Sequence, residues 1–240
     1  MKLTGFGKSV SLKHVSLQKQ SRTTSFESVC RSVTTYTYDI ENQLIRIEFP
    51  DGSIATYRYD GLGRRIEKAV AGVVTRYLYD QEDIVALVDG ATGCATHAFL
   101  HGPGVDQPLG FVRDTNADCD PFNDAVGFRE PSLDLLPDGL GTLVALTTEV
   151  GGFFRTTVLA ERATTDSFGT PRITGPGPDG LMDTPDDVLL AQSAFGNPYL
   201  FTGREWDPES GLYYYRARYY DPRTGRFLQE DPVGVADIHP

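Results

Sequence analysis

An aspartate-rich stretch is the first place in this sequence where side chains could hold a ligand. Asp114, Asn116, Asp118 and Asp120 present oxygen atoms at alternate positions, which is how a loop wraps around Ca²⁺. The sixth position of such a loop needs a glycine, and Cys119 stands there; the twelfth, where a bidentate glutamate belongs, holds an alanine. The stretch is therefore a candidate calcium site, with a solvated acidic loop as the alternative and no other cofactor expected.

The histidines do not form a recognisable catalytic or metal pattern. His97 and His101 are four residues apart, but they lie in strand-like sequence, where this spacing does not place two side chains together as it does on a helix. The chain has no nucleophile motif of the Gly-x-Ser-x-Gly type and no phosphate loop. A structural role is predicted for the histidines, and no enzymatic activity is expected.

A tyrosine- and arginine-rich run near the C-terminus could stack on sugars or bases. Read as one strand, residues 213–220 have two faces, one with Tyr213, Tyr215, Ala217 and Tyr219 and the other with Tyr214, Arg216, Arg218 and Tyr220. The second face would bring guanidinium groups against aromatic rings. A strand with an aromatic core side and a cation–π side explains the run without a ligand.

The elements that carry these residues are repeated. A Tyr-x-Tyr-Asp block occurs three times, at spacings of 21 and 20 residues. Tyrosines two apart share one face of a strand, the aspartate accepts hydrogen bonds from its turn, and Gly61 and Gly63 supply positive φ. The repeat residues are Tyr36, Tyr38, Asp39, Tyr57, Tyr59, Asp60, Gly63, Tyr77, Tyr79 and Asp80. The pattern predicts an all-β fold, a repeated antiparallel meander.

These blocks resemble the YD repeats of the Rhs, Tc-toxin C and teneurin-type proteins, and residues 197–234 resemble the RHS repeat-associated core. The matching core residues are Gly203, Arg204, Asp207, Gly211, Tyr214, Arg216, Arg218, Tyr219, Tyr220, Asp221, Pro222, Gly225, Arg226, Phe227, Asp231, Pro232 and Gly234. The resemblance implies that the meander forms part of a spiralling β-shell, capped by the C-terminal core segment.

Some proteins of this family cut themselves with a pair of aspartates, one in each of two Asp-Pro-x-Gly motifs. Asp231 matches the first motif, but only residues 235–240 follow it and the second motif is absent. A lone carboxylate has no partner with which to share a proton, so Asp231 is expected to be a turn residue and only a weak catalytic candidate.

Composition limits the classes of partner. Residues 1–31 carry six basic side chains and one acidic one, whereas the rest of the chain has 16 basic and 32 acidic side chains. An acidic body repels phosphate backbones, so no nucleic-acid partner is expected. The chain has no run of apolar residues long enough for a signal-peptide core or a transmembrane segment. The three cysteines, far apart, are expected to be incidental thiols.

Taken together, the sequence and the resemblance predict a structural or encapsulating shell segment of an Rhs-like polymorphic-toxin protein, secreted or on the cell surface, without its C-terminal effector. The expected partners are other repeats of the same or a longer chain and a toxin cargo or surface ligand. An adhesion module that binds glycans or Ca²⁺ and a self-cleaving core are the alternatives. The expected regions are a disordered leader (1–31), YD-repeat strands (32–103), an acidic loop region (104–137), further strands with a Pro/Gly/Asp-rich insertion (138–196) and the core (197–240).

Overall fold

The computed structural model describes residues 10–16, 32–104, 106–122, 132–150 and 155–231. These residues form strands and turns, with one short 3₁₀ turn at Phe201–Gly203 and no α-helix. The strands are β1 (Val10–Ser16), β2 (Ser32–Tyr38), β3 (Leu44–Glu48), β4 (Ile54–Tyr59), β5 (Arg65–Val70), β6 (Val73–Asp80), β7 (Asp83–Asp89), β8 (Ala95–His101), β9 (Pro108–Arg113), β10 (Ser132–Pro137), β11 (Leu143–Val150), β12 (Thr156–Thr165), β13 (Pro171–Gly175), β14 (Val188–Leu190), β15 (Glu205–Asp207), β16 (Leu212–Tyr215), β17 (Arg218–Asp221) and β18 (Arg226–Phe227).

The strands form two antiparallel sheets in which neighbours in sequence are neighbours in space. The large sheet has the order β1 to β14, and the small C-terminal sheet has the order β15 to β18. Each pairing between consecutive strands is antiparallel, so the chain reverses at each turn without a crossover. The expected all-β meander is confirmed.

One type of turn recurs in the large sheet, and an aspartate organises it. Oδ1 of Asp60 accepts hydrogen bonds from the backbone N–H of Leu62 and of Arg64, and Gly63 adopts a φ of 80°. Asp39, Asp138 and Asp166 accept the corresponding pairs of N–H groups in their own turns. The predicted role of the turn aspartate is thus confirmed, whereas Gly61 is not among the residues with positive φ.

A bulge precedes the second tyrosine of each repeat. The strand register shifts between residues 37 and 38, between 58 and 59, and between 78 and 79. The hydroxyl of Tyr59 donates to the carbonyl of Leu44 (2.7 Å), and that of Tyr79 donates to the carbonyl of Arg65 (3.0 Å). Each acceptor is the residue that pairs across the ladder with the second tyrosine of the preceding repeat. The hydroxyls therefore connect consecutive repeats.

The core lies between the two sheets in two clusters. The larger one takes side chains from β6 to β13 together with Tyr199, Leu200 and Tyr213. The smaller one joins the tyrosines and aliphatic residues of β2 to β4 with Leu212, Tyr214 and Tyr219. Because the small sheet contributes to both clusters, it covers the tyrosine-lined face of the large sheet. The C-terminal segment was expected to cap one end of a shell; among the described residues, it packs against strands of the large sheet.

Several regions differ from expectation. Residues 10–16, expected to be part of a disordered leader, form a strand that pairs with β2, and the expected loop region contains β9 and β10. Asp80 does not start a turn of the aspartate type, because β6 extends through it and pairs it with Asp83. The cysteines are not all incidental: Cys94 and Cys119 form a disulfide that ties the acidic loop to the turn before β8.

Candidate functional site

The small sheet is built from hairpins that present aromatic side chains on both faces. Tyr214 pairs with Tyr219, and Tyr213 pairs with Tyr220, so the predicted single strand is wrong. The chain reverses at Arg216, which adopts a φ of 60°, and at the next residue. This reversal places Tyr214 and Tyr219 together on the face toward the repeats, instead of on opposite faces.

The face of the small sheet that carries Tyr213 and Tyr215 has cation–π contacts, but with other partners than the sequence predicted. The guanidinium of Arg218 lies 3.9 Å from the ring centre of Phe227, and that of Arg204 lies 5.1 Å from the ring centre of Tyr215. Rings at this distance from a guanidinium contribute about 0.5–1 kcal/mol each when exposed. This face is consistent with a packing role for the run.

The face of the small sheet that carries Tyr214 and Tyr219 meets the large sheet at Arg65, the first residue of β5. Its side chain is 1% exposed and donates to Glu205 (2.7 Å), to Asp207 and to the hydroxyl of Tyr219 (3.1 Å). The guanidinium also stands 4.5 Å from the ring centre of Tyr214. One buried cation therefore binds four residues of the small sheet, about 140 to 154 positions away in sequence.

Lys68, three residues after Arg65 in β5, completes the ion cluster. Its ammonium donates to Oδ1 of Asp207 (2.8 Å) and lies 3.2 Å from a carboxylate oxygen of Glu209. Two cations thus face three carboxylates at the boundary between the sheets. A buried charge without a partner is strongly unfavourable. The pairing of these cations with these carboxylates therefore restricts how the two sheets can dock.

The pKa values follow from burial and from this pairing. Burial raises the pKa of Glu205 above its ordinary value, although Arg65 opposes the shift. Burial acts in the same direction on Asp207, but Arg65 and Lys68 together hold the pKa of that carboxyl below its ordinary value. For Glu209, burial and the nearby Asp207 carboxylate both raise the pKa. Glu205 and Glu209 are the members of the cluster that take up protons first as the pH falls.

A small polar cavity opens beside this cluster, between β7, β8 and the small sheet. Its lining includes Asp83, His101, Asp106, Arg204 and Arg216. The carboxylate of Asp106 receives both arginines, Arg204 at 2.6 Å and Arg216 at 3.0 Å. The cavity thus brings a histidine and several carboxylates together with two arginines, Arg204 and Arg216, that match the repeat-associated core.

The other residues that match the repeat-associated core lie mostly in turns and at strand ends. Gly203, Gly211 and Gly225 have positive φ in the turns of the small sheet, and Asp221 is buried and binds the N–H and the side chain of Arg223. The remaining core positions described are the buried Pro222, the exposed Arg226 and the half-buried Tyr220. Pro232 and Gly234 lie outside the described residues.

Asp231 is the last residue that the structure describes. Its side chain is 54% exposed, and its Oδ2 is 3.0 Å from Nη1 of Arg218. An aspartate that shares a proton needs a second carboxylate close by. The structure places a cation beside Asp231.

The acidic loop directs its oxygens toward its own backbone. Asp114 accepts from the N–H groups of Asn116, Ala117 and Cys119, and Asp118 accepts from the N–H of Asp120. Among the residues that the structure describes, no three His, Cys, Asp or Glu side chains are grouped so as to hold a metal ion. The calcium hypothesis therefore finds no support in the described residues.

Sequence reasoning missed the ion cluster. Arg65, Lys68, Glu205 and Glu209 were not predicted as site residues, although Asp207 was. A cue was present in the pair of basic residues that follows the second repeat's turn, but both would ordinarily be exposed on a strand of this composition. Their partners are too distant in sequence for any local pattern to reveal the pairing.

The chain is similar in sequence to short parts of much longer proteins that are named nucleases or toxins. No protein-family profile matches it. It is 30% identical over 206 residues to the tRNA3(Ser)-specific nuclease WapA of Bacillus spizizenii, a match that covers 85% of this chain and 7% of the relative. It is 28% identical over 214 residues to the probable deoxyribonuclease RhsB of Dickeya dadantii, covering 85% of this chain and 12% of that protein.

The fold has counterparts among solved structures. The crystal structure of TcdB2-TccC3 matches with a TM-score of 0.55 and 16% sequence identity, over 85% of this chain and 9% of that one. This likeness concerns the fold, and it agrees with the expected β-shell architecture. The chain thus spans only a small part of each protein that it matches.

These matches correct two expectations. The chain was expected to be a structural shell segment without an effector and to have no enzymatic role. Several relatives whose matches cover 85% of this chain are named nucleases, which contradicts both statements. No helix among the described residues is long and apolar enough to span a membrane.

The sequence matches show that the chain is a relative of the Rhs and WapA toxin proteins.

Proposed function

We propose that this chain acts as part of a nuclease toxin, with tRNA or DNA as its substrate. The observation that carries the proposal is the 30% identity over 206 residues to a tRNA nuclease, which extends along 85% of the chain. A second relative of similar coverage is named a probable deoxyribonuclease, so both nucleic acids belong in the test. Action outside the producing cell, by secretion or from its surface, is part of the same proposal.

Within such a toxin, we propose that the residues described here divide into a repeat region and a core. The YD-repeat assignment of residues 32–103 is supported by the recurrent bulge, the turn aspartate and the tyrosine hydroxyl bonds. Residues 197–240 are assigned to the repeat-associated core, which is supported by the separate small sheet over 205–227. Residues 138–196 continue the repeat region, since β11 to β14 extend the same sheet.

The ion cluster supports a specific contribution of this chain. Arg65 and Lys68 hold the small sheet in one register on the large sheet, and the polar cavity exists only where the two sheets meet. Cleavage of nucleic acid requires charged groups fixed relative to one another. We therefore propose that nucleolysis by this chain depends on docking of the two sheets.

The test is a cleavage assay on the purified 240-residue chain. Bulk tRNA and linear duplex DNA are incubated with it at low salt, with and without Mg²⁺ or Zn²⁺, and the products are separated on gels. Arg65→Met, purified in the same way, serves as the control for contaminating nucleases, because it disrupts docking. We expect cleavage by the wild type that falls at least tenfold in the variant.

The opposite outcome is equally clear. If the folded wild-type chain cleaves neither substrate, or if Arg65→Met cleaves as fast as wild type, nucleolysis does not belong to this chain. The acidic net charge predicts weak attraction to phosphate backbones. The same assay therefore decides between the charge-based expectation and the proposal drawn from the relatives.

A further inference from the structure

His101 occupies a position that tyrosines occupy in the repeats. A register shift precedes it in β8, between residues 100 and 101, as one precedes Tyr59 and Tyr79. Its Nε2 lies 2.9 Å from the carbonyl of Ile84, and Ile84 pairs across the ladder with Tyr79. His101 therefore makes the bond that the second tyrosine makes in the preceding repeats.

A histidine has a second ring nitrogen that this structural role does not use. A carbonyl oxygen only accepts hydrogen bonds, so Nε2 of His101 must carry the proton that Ile84 receives. In the neutral ring, Nδ1 then has a free lone pair. This Nδ1 is buried, on a side chain that is 10% exposed, and it has no hydrogen-bond partner. A tyrosine would fulfil the structural role without such an atom.

The group that faces Nδ1 is the carboxylate of Asp83, at 3.9 Å. The other carboxylates of the cavity have cationic partners: Asp106 binds two arginines, Glu205 binds Arg65, and Glu82 lies 3.7 Å from Arg216. For Asp83, the described residues offer no lysine or arginine within 4 Å. Two acceptors, one nitrogen and one oxygen, thus face each other across the cavity without a donor between them.

We propose that His101 and Asp83 bind a divalent transition-metal ion between them. Nitrogen and oxygen ligands lie about 2.0–2.2 Å from such an ion, which places two adjacent ligand atoms of a tetrahedral or octahedral site about 3.0–3.5 Å apart. From the observed separation of 3.9 Å, the two side chains need to approach by roughly half an ångström to bind one ion. Neutral imidazole together with carboxylate suits Zn²⁺, Co²⁺ or Ni²⁺, and water completes the coordination. The site is independent of the proposed nuclease activity.

The fold provides a matched control in the same strand. His97 lies in β8, as His101 does. Both of its ring nitrogens have partners: Nδ1 contacts the hydroxyl of Thr96, and Nε2 contacts the carbonyl of Phe195. It is buried like His101, but it has no free nitrogen for a metal. Replacing it leaves the proposed site intact.

The experiment measures metal binding to the purified 240-residue chain. Zn²⁺ affinity is obtained by calorimetry, and Co²⁺ binding by its visible absorption. The test variants are His101→Tyr, which restores the residue type of the other repeats and retains a donor for Ile84, and Asp83→Asn. We expect Zn²⁺ affinity to fall at least tenfold in both and to stay within twofold of wild type in His97→Gln.

Other results would overturn the proposal. These are an absence of Zn²⁺ and Co²⁺ binding by the folded wild-type chain, or binding that His101→Tyr leaves unchanged. Equal losses in His97→Gln and His101→Tyr would also overturn it, since they would show that the loss reflects packing of β8. Circular dichroism identifies any variant that fails to fold. If His101→Tyr does not fold, the Zn²⁺ affinity of Asp83→Asn, which leaves the core side chains of the strand unchanged, tests the proposal.

Discussion

Replacement of Arg65 by methionine tests whether the ion cluster holds the two sheets together. The change leaves Glu205 without a cation and Asp207 with Lys68 alone. Removing one partner of a buried ion pair costs about 3–5 kcal/mol, because the remaining charge is uncompensated. Methionine recovers part of the packing against Tyr214 and Tyr77, so we expect a loss of about 3–4 kcal/mol in the free energy of unfolding at neutral pH.

The pH dependence of this loss has a definite sign. Burial already raises the pKa of Glu205, and without Arg65 it rises further. An acid whose pKa is higher in the folded than in the unfolded state destabilises the fold above that folded pKa, and the penalty is relieved as the pH falls through it. The variant should therefore recover stability relative to wild type as the pH decreases from neutral toward the ordinary glutamate range.

Urea unfolding followed by the fluorescence of Trp206, the single tryptophan, provides the measurement, because its ring lies 4.7 Å from that of Tyr213 in the core. Arg155→Met is the matched control: Arg155 pairs with Glu149 at 2.8 Å, but both side chains are more than 40% exposed. An exposed pair contributes about 0–1 kcal/mol. If Arg65→Met costs no more than Arg155→Met, the cluster does not hold the sheets together and the reasoning is refuted.

Three further predictions concern the repeats and β12. Tyr59→Phe should lower the free energy of unfolding by about 1 kcal/mol, because it loses the hydrogen bond to the carbonyl of Leu44. Tyr57→Phe should be neutral or stabilising, because the Tyr57 hydroxyl is buried without a hydrogen-bond partner. Urea unfolding midpoints compare the two variants, and equal effects would contradict the prediction. Gly63→Ala, at a φ of 80°, should cost about 1–2 kcal/mol in a thermal melt, with Gly61→Ala as the control near zero; a tolerated Gly63→Ala would argue against the turn geometry. Glu161 is 1% exposed and accepts a hydrogen bond from the N–H of Ala194, and its burial raises the pKa of its carboxyl. The fold should therefore lose stability as the pH rises above the ordinary glutamate range. Glu161→Gln keeps an acceptor and should flatten this pH dependence of stability, and an unchanged pH profile would oppose the assignment.

The parts of the fold that are determined locally were predictable. Alternating tyrosines identify a strand face, and an aspartate followed three residues later by glycine identifies a turn, because both signals act within a few residues. The same reasoning failed where no local signal exists. The reversal at Arg216 uses a positive φ at an arginine, which no sequence rule favours, and it changed which tyrosines share a face.

Long-range contacts set the other limit. Arg65 looks like the solvent-exposed start of a strand until Glu205 and Asp207 are brought to it by the docking of a second sheet. Similarly, Cys94 and Cys119 carry no spacing that indicates a disulfide, and only the path of β8 and β9 brings them together. His97 and His101 lie in one strand, as the sequence indicated, but the equivalence of His101 to the repeat tyrosines became visible only through the strand register.

The bonds between one repeat's second tyrosine and the strand of the preceding repeat have a consequence for how such a sheet can change in length. Every such hydroxyl requires only the unit immediately before it. Removal or duplication of one whole two-strand unit would therefore leave each remaining hydroxyl with a carbonyl to bind, and the side chains would keep their faces. Loss of a single residue within a strand would instead turn every later tyrosine of that strand to the opposite face. Genes that encode this sheet should tolerate changes of about twenty codons far better than changes of one.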